Sequence, residues 1–320
     1  MKKIFISAFL LCISTLGFSQ FKWDAGLSVG ASNYLGEIGG KNKAGRAFIL
    51  DLKLSESGSA VGGFLRYKYN SDFFLKGSLG FYRISGDDKL TTNPARRGRN
   101  LSFRNDIIEA SFVGQYVFYT ISDLGKSYRY KNDFKAYAFT GVSGFYSNPK
   151  AEYESKWVPL QPLHTEGQGT TPNAPKVYSK FQLAVPAGVG FFFTISKKYR
   201  IGWELNWRTT FTDYLDDVST NYADTKLFTD PVAAKLSNRN DELVYTDDTD
   251  LPNRDTYRVH TEGGVSKSPK RGDPKHNDSY LSTTINGSFI IPGKSKFARN
   301  KYKTFFKGKK FRKRTIRAKF

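Results

Sequence analysis

Cysteine is almost missing from this chain: Cys12 is the only one, and it lies in an apolar leader. The remainder therefore offers no disulfide, thiol nucleophile, iron–sulfur cluster or cysteine-based zinc site. Histidine is scarce as well. His164, His260 and His276 are too scattered for metal-ligand or triad spacing. Long apolar runs are missing too: after the first twenty residues no window approaches the ~18 to 20 uninterrupted apolar residues of a membrane-spanning helix, and mean hydropathy is -0.50. A bundle of transmembrane helices is excluded. Phosphate-cradling glycine loops are absent; Gly26, Gly30, Gly188 and Gly190 lie inside strand-like segments, where glycine permits close backbone approach. The acidic group Asp247, Asp248 and Asp250 lacks the glycine and terminal glutamate of an EF-hand loop and reads as a solvated loop tip.

What the chain does have is aromatic residues, 16% of the total, together with 29 glycines and a formal net charge of +21. At the start, Lys2 and Lys3 precede an apolar stretch from Ile4 to Phe18, with small residues Gly17 and Ser19 before Gln20. This pattern predicts a secretory signal peptide over 1–19. Leu11 stands where a lipoprotein signal needs a small residue before Cys12, so lipidation is not expected.

Eight segments then read as strands. Between Arg200 and Tyr214 the odd positions carry Ile201, Trp203, Leu205, Trp207 and Phe211, while the even ones carry Gly202, Glu204, Asn206, Arg208 and Thr210. Asp106–Ile121 and Ser179–Ile195 alternate in the same way, and Trp23–Leu35, Val61–Tyr69, Phe73–Ser85, Phe134–Ser147 and Ser279–Ile291 complete the set. Strands of this length exceed the usual globular 5–6 residues and match the ~9 to 11 needed to cross a bilayer at a tilt. Ala47–Leu54 alternates weakly and is assigned to a loop. The connections 36–60, 86–105, 148–178 and 216–278 are long, whereas 70–72, 122–133 and 196–199 are shorter. An even strand number with long and short connections in alternation predicts an all-β fold, an eight-stranded antiparallel transmembrane β-barrel over 20–291 with long outer loops and both termini periplasmic. A soluble barrel or sandwich shares the periodicity. Strand length, loop asymmetry and the aromatics Trp23, Tyr67, Tyr69, Tyr116, Tyr119, Tyr199 and Tyr214 favour the membrane barrel, with girdles at two interfaces.

If the apolar face meets lipid, the lumen receives Arg66, Lys68, Lys76, Glu109, Glu204 and Arg208. Buried charges must pair or stay hydrated, so an ion-pair network around Glu109, Glu204 and Arg208 is expected, without a conducting pore. Asp213, Asp216 and Asp217 cluster at the outer end of the seventh strand, as calcium ligands or, preferably, as anchors of loop hydrogen bonds. Beyond the last strand, 292–320 is a polybasic tail without an acidic residue: Lys294, Lys296, Arg299, Lys301, Lys303, Lys307, Lys309, Lys310, Arg312, Lys313, Arg314, Arg317 and Lys319. Most of the net charge resides there. Secretion argues against nucleic acid as its partner; acidic proteins, lipid phosphates and cell-wall polymers remain.

Four strings carry a family resemblance: Asn33-Tyr34-Leu35-Gly36-Glu37; Arg99-Asn100-Leu101-Ser102-Phe103-Arg104; Trp157 through Leu163 followed by Thr165-Glu166-Gly167-Gln168-Gly169; and Trp207 through Ser219 with Tyr222, which contains Asp213, Tyr214, Asp216 and Asp217. Over Trp23 to about Ile291 the chain resembles the PorG-like outer-membrane proteins of the Bacteroidetes type IX secretion system. The resemblance implies a non-enzymatic, cofactor-free component that associates with a periplasmic ring of PorK-like lipoprotein and PorN-like subunits, in machinery that also serves gliding motility. Lys126, Lys131 and the tail are the expected ring contacts. Arg99, Asn100, Arg104, Trp157, Glu166 and the Asp213–Asp217 group are expected to structure the outer loops. A lipid-modifying barrel enzyme and a surface ligand-binding or adhesin barrel are the competing readings.

Overall fold

The computed structural model describes residues 22–38, 56–91, 93–122, 124, 132–170, 174–244, 251–262 and 265–292. The leader, Ala47–Leu54, Asp247, Asp248, Asp250, Lys126, Lys131 and the tail lysines and arginines lie outside them. Twelve strands are present among the described residues: β1 (Trp23–Leu35), β2 (Gly58–Lys68), β3 (Phe73–Asp87), β4 (Ser102–Ile121), β5 (Asp133–Tyr146), β6 (Pro149–Tyr153), β7 (Lys156–Pro159), β8 (Phe181–Ile195), β9 (Tyr199–Thr210), β10 (His260–Glu262), β11 (Val265–Lys267) and β12 (Ser279–Ile291).

Eight of them close a barrel. The antiparallel order runs β3-β2-β1-β12-β9-β8-β5-β4, and β4 pairs back onto β3. β1 and β12 zip together from Trp23↔Ile291 to Leu35↔Ser279, so closure joins the two ends of the described chain. Closure demands close backbone approach: a Cβ added to Gly30 would stand 1.9 Å from the carbonyl oxygen of Thr283.

The barrel is inside-out relative to a soluble protein. Its outward positions are large and apolar, with Leu27, Leu79, Phe112, Phe181 and Ile285 all exposed, while Asp24, Arg66, Glu109, Glu204 and Arg208 are buried within. Water would penalise that arrangement; a hydrocarbon surround favours it. No helix of the described residues is long and apolar enough to cross a membrane. From Tyr199 to Thr210 the strand path is about 36 Å, which at the usual ~40° tilt spans about 28 Å.

The aromatic girdles differ from expectation in one respect. Trp23 packs on Tyr67, Tyr69 on Phe73, Tyr119 on Phe134 and Tyr199 on Phe289, all at the end carrying the short turns and the chain termini. Tyr214 does not join the opposite girdle, because β9 ends at Thr210 and the chain turns inward. Tyr146 and Phe181 stand there instead, with centroids 5.2 Å apart.

The long connections hold structure of their own. The β5–β8 connection contains the β6–β7 hairpin, which continues the sheet beyond β4 through Arg104↔Lys150. Helix α1 (Pro94–Arg99) starts with Asn93 accepting the Ala95 amide and Pro94 at its first turn, and ends on Asn100 in the left-handed region. Helix α2 (Pro231–Ser237) packs Leu236 against Ala151 and Leu160 of the hairpin region.

Candidate functional site

Residues from every described long connection converge at the loop end of the barrel. Termination of α1 at Asn100 aims Arg99 inward, where its guanidinium donates to both carboxylate oxygens of Asp88 at 2.8 and 2.9 Å. It also donates to the carbonyls of Arg271 and Glu37. Asn100 itself donates to the carbonyl of Arg239 at 3.0 Å. These contacts tie together the connections after β1, β3 and β9.

A second centre surrounds Glu166. Its carboxylate accepts the amides of Ser219 and Thr220, the Thr220 hydroxyl and the Arg271 guanidinium at 3.0 Å. Arg271 reaches on to the carbonyl of Asp217. Asp217 adopts φ 69, a left-handed conformation that Asp tolerates better than most residues. That twist presents its carboxylate to the Thr165 hydroxyl and to the Tyr178 hydroxyl at 2.6 Å. Tyr178 in turn stacks on Tyr214 at 4.6 Å with an interplanar angle of 10°.

The third centre is a triad of oxygens. Asp216 accepts the Val218 and Ile38 amides, Asp278 accepts the Leu215 amide, and the Tyr34 hydroxyl lies 2.7 Å from the first carboxyl and 2.6 Å from the second. One hydroxyl donates one proton. The second short contact therefore needs a proton on a carboxyl.

Electrostatics agree with that count. Burial pushes Asp278 well above the usual carboxylate range, reinforced by the neighbouring Asp216 and Asp213 charges. Burial also raises Asp216 to about 6, Asp217 to about 7, Glu37 to about 7 and Asp213 to about 8. The same burial acts against Arg99 and Arg271, but Asp88 on the one hand and Glu166 on the other hold both guanidiniums firmly charged.

The loop motif thus divides. Arg99, Asn100, Glu166, Tyr214, Asp216 and Asp217 enter one bonded cap. Asp213 is buried beside it, with Ser219 as its favourable neighbour. Asp216 and Asp217 serve as hydrogen-bond anchors, and no group of three or more His, Cys, Asp or Glu among the described residues is placed to hold a metal ion. Arg104 and Trp157 lie outside the cap, on β4 and β7, where the Arg104 guanidinium sits 4.0 Å from the Trp157 ring centroid and joins the β6–β7 hairpin to β4. Asp88, Arg271, Tyr178 and Asp278 were not singled out from sequence. Asp278 had one available signal, its place immediately before a strand.

Below the cap, side chains fill the lumen at successive levels. Glu109 accepts Arg208 at 2.6 Å and the Tyr280 hydroxyl, and Arg208 also donates to Ser282. Further down, Glu204 accepts Lys76 at 2.5 Å, Tyr137 at 2.6 Å and Gln115 at 3.2 Å. Nearest the short-turn end, Asp24 pairs with Arg200 and lies 3.5 Å from Arg66, whose guanidinium sits 4.8 Å from the Phe192 ring centroid. The network is therefore three centres rather than one: Glu204 pairs with Lys76, not Arg208. Lys68 stands two positions beyond Arg66, at the strand end. Sequence reasoning missed Asp24 and Arg200. The histidines stay apart in function: His276 lies 3.0 Å from Asp273 on the surface, and His260 contacts the Arg258 carbonyl.

Comparison with known proteins gives a family. The profile described as "Domain of unknown function (DUF6089)" matches residues 2–249. No curated protein matches. Among solved structures, the N-terminal β-barrel domain of Pseudomonas aeruginosa OprF is similar at 8% identity and TM-score 0.31, covering 83% of this chain and 96% of that one. Ail of Yersinia pestis, solved with a heparin analogue, is similar at 8% identity and TM-score 0.33, covering 84% and 97%. AlkL in DMPC bilayers is similar at 11% identity and TM-score 0.32, covering 88% and 95%.

Proposed function

The chain belongs to the DUF6089 family, and from that premise we propose that it is a non-enzymatic outer-membrane scaffold of a type IX protein secretion and gliding apparatus. In this reading it anchors or stabilises a periplasmic ring of PorK-like and PorN-like subunits. The observation that carries it is the fate of the resembling strings. Residues spread from Tyr34 to Asp217 unite in one cap, over a lumen occupied by Arg66, Arg208, Tyr137 and Tyr280. A plugged, cross-linked barrel suits a fixed anchor better than a conduit for folded cargo.

With short turns on the periplasmic side, β4 ends and β12 ends on the side where the ring would stand, and the basic residues of 126–131 and 294–319 follow those ends in sequence. Clustered Lys and Arg suit acidic protein surfaces. The test is affinity recovery of the full chain from detergent-solubilised membranes. Ring subunits are expected to copurify, and removal of 294–320 to reduce their recovery. Undiminished recovery after truncation sinks tail docking; absence of ring subunits from the full-length preparation sinks the scaffold reading itself.

A further inference from the structure

One sector of the barrel exterior departs from the uniform apolar surface. On β4 the outward register climbs through Phe112, Ala110 and Ile108, and Ile108 pairs with Tyr146 of the loop-end girdle. The next outward position is Asp106, the one after it Arg104. Asp106 is opposite Arg83, whose guanidinium lies 2.6 Å from it and 5.8 Å from the ring of Phe81 below. Arg104 is opposite Lys150 and stacked on Trp157.

Height decides what these groups meet. Two residues of a tilted strand rise about 5 Å, so Arg83 and Asp106 stand about 5 Å beyond the girdle and Arg104 with Lys150 about 10 Å. The headgroup layer occupies roughly the first 5–7 Å outside the hydrocarbon core. Arg83 emerges from apolar surface into that layer with its side chain 41% exposed, while Arg104 and Lys150 are rooted above it; the Arg104 Nε lies 4.0 Å from Asp106 Oδ2 one step below, so its guanidinium reaches the layer from the outer side. Elsewhere on the described rim, the outermost outward positions of β8, β9, β12 and β1 are Phe181, Thr209, Ser279 and Leu35.

The charge balance is favourable to an anion. Asp106 is occupied by Arg83 and lies 4.0 Å from Arg104, and Glu152 sits across from Trp157 on the hairpin. Three cations face these two carboxylates, and Asp87 of β3, opposite Ser102, is offset by the adjoining Lys89, whose amide it accepts. Trp157 braces the guanidinium plane of Arg104 and leaves its edge for hydrogen bonding, the geometry by which arginine takes phosphate oxygens.

We infer that Arg104 and Lys150, supported by Arg83 and Trp157, form a binding site for the phosphate of a membrane lipid headgroup in the leaflet at the loop end. The site holds a lipid phosphate laterally against the β3–β4–β6 sector and gives the barrel a preferred lipid neighbour. It depends on the membrane-spanning reading of the fold and not on the secretion role.

The experiment uses the full chain in neutral-lipid nanodiscs doped with lipid A or with its dephosphorylated counterpart, read by native mass spectrometry of retained lipid. Wild type is expected to retain lipid A at least tenfold more than the dephosphorylated form. The R104Q/K150Q double variant should lose that preference, while K150R, which leaves the stacked Arg104 guanidinium in place, keeps it and controls for folding. Equal retention of the two lipids by wild type overturns the proposal, as does an undiminished preference in R104Q/K150Q. Displacement of lipid A by millimolar inorganic phosphate would replace the lipid site with a free-anion site.

Discussion

The hydroxyl of Tyr34, at the loop end of β1, lies 2.6 Å from a carboxylate oxygen of Asp278, the residue immediately before β12. The same oxygen lies 2.7 Å from Asp216. The cap is thereby fastened to the seam where the barrel closes through one shared hydroxyl.

Removing that hydroxyl leaves two buried carboxyls facing each other without their mediator. Tyr34→Phe is expected to destabilise the folded chain by about 1–3 kcal/mol. Limited proteolysis should show cleavage within 211–222 before any loss of the barrel. Unchanged proteolysis and melting in detergent would show that the Tyr34 bridge is dispensable.

The carboxyls of the cap set a direction for pH. Asp217 and Asp213 are raised to about 7 and about 8 by burial, whereas an unfolded Asp titrates near 3.9. Between those values the folded state holds more protons than the unfolded one, so stability falls as pH rises. The cap is therefore tightest in mild acid and loosens through pH 7–8. Amide exchange at Leu215, Val218 and Ser219, corrected for intrinsic rates, should accelerate over that interval; flat protection from pH 5.5 to 8.5 would contradict it.

Glu166 and Arg271 are unequal partners. Glu166→Ala abandons a buried guanidinium together with the Ser219 and Thr220 amides, an expected loss of about 3–5 kcal/mol. Arg271→Met leaves Glu166 with its backbone donors and should cost about 1–3 kcal/mol. Chemical denaturation of the two variants in the same detergent tests the order, which must not reverse.

The lumen is filled by side chains rather than water-lined. In planar bilayers the wild-type chain is expected to pass no steady ion current. Trimming Arg66, Phe192 and Arg208 together to alanine should open a measurable conductance. Steady wild-type conductance would mean that the three lumenal centres leave a continuous path.

Strand positions were legible because the alternation is enforced by two opposite solvents. Trp23–Leu35 and Ser279–Ile291 were readable to the residue, since each ends where the apolar face ends. The lumenal roles of Glu109, Glu204 and Arg208 followed from the same parity, but their pairing did not: Lys76 and Glu204 lie across the lumen on β3 and β9, a distance that depends on barrel shear. The β6–β7 hairpin was hidden by its brevity, with four residues in β7. Arg271 and Asp88 carry no local signal at all. Each sits among other charges in a polar connection, Asp88 between Asp87 and Lys89 and Arg271 between Lys270 and Asp273, and only tertiary convergence gives it a distinct partner.

The seam between β1 and β12 has a consequence for assembly. Tyr34 and Asp278 are separated by 244 positions, so their contact cannot form until the last strand has been placed. Such long-range closure is slow relative to local hairpins. Docking of the Tyr34 seam is thus a late event, and an unfinished barrel leaves the charges of Asp216 and Asp278 exposed, apart from each other and from Tyr34. Any folding factor or protease that reads those exposed charges distinguishes a completed molecule from one still missing its final strand.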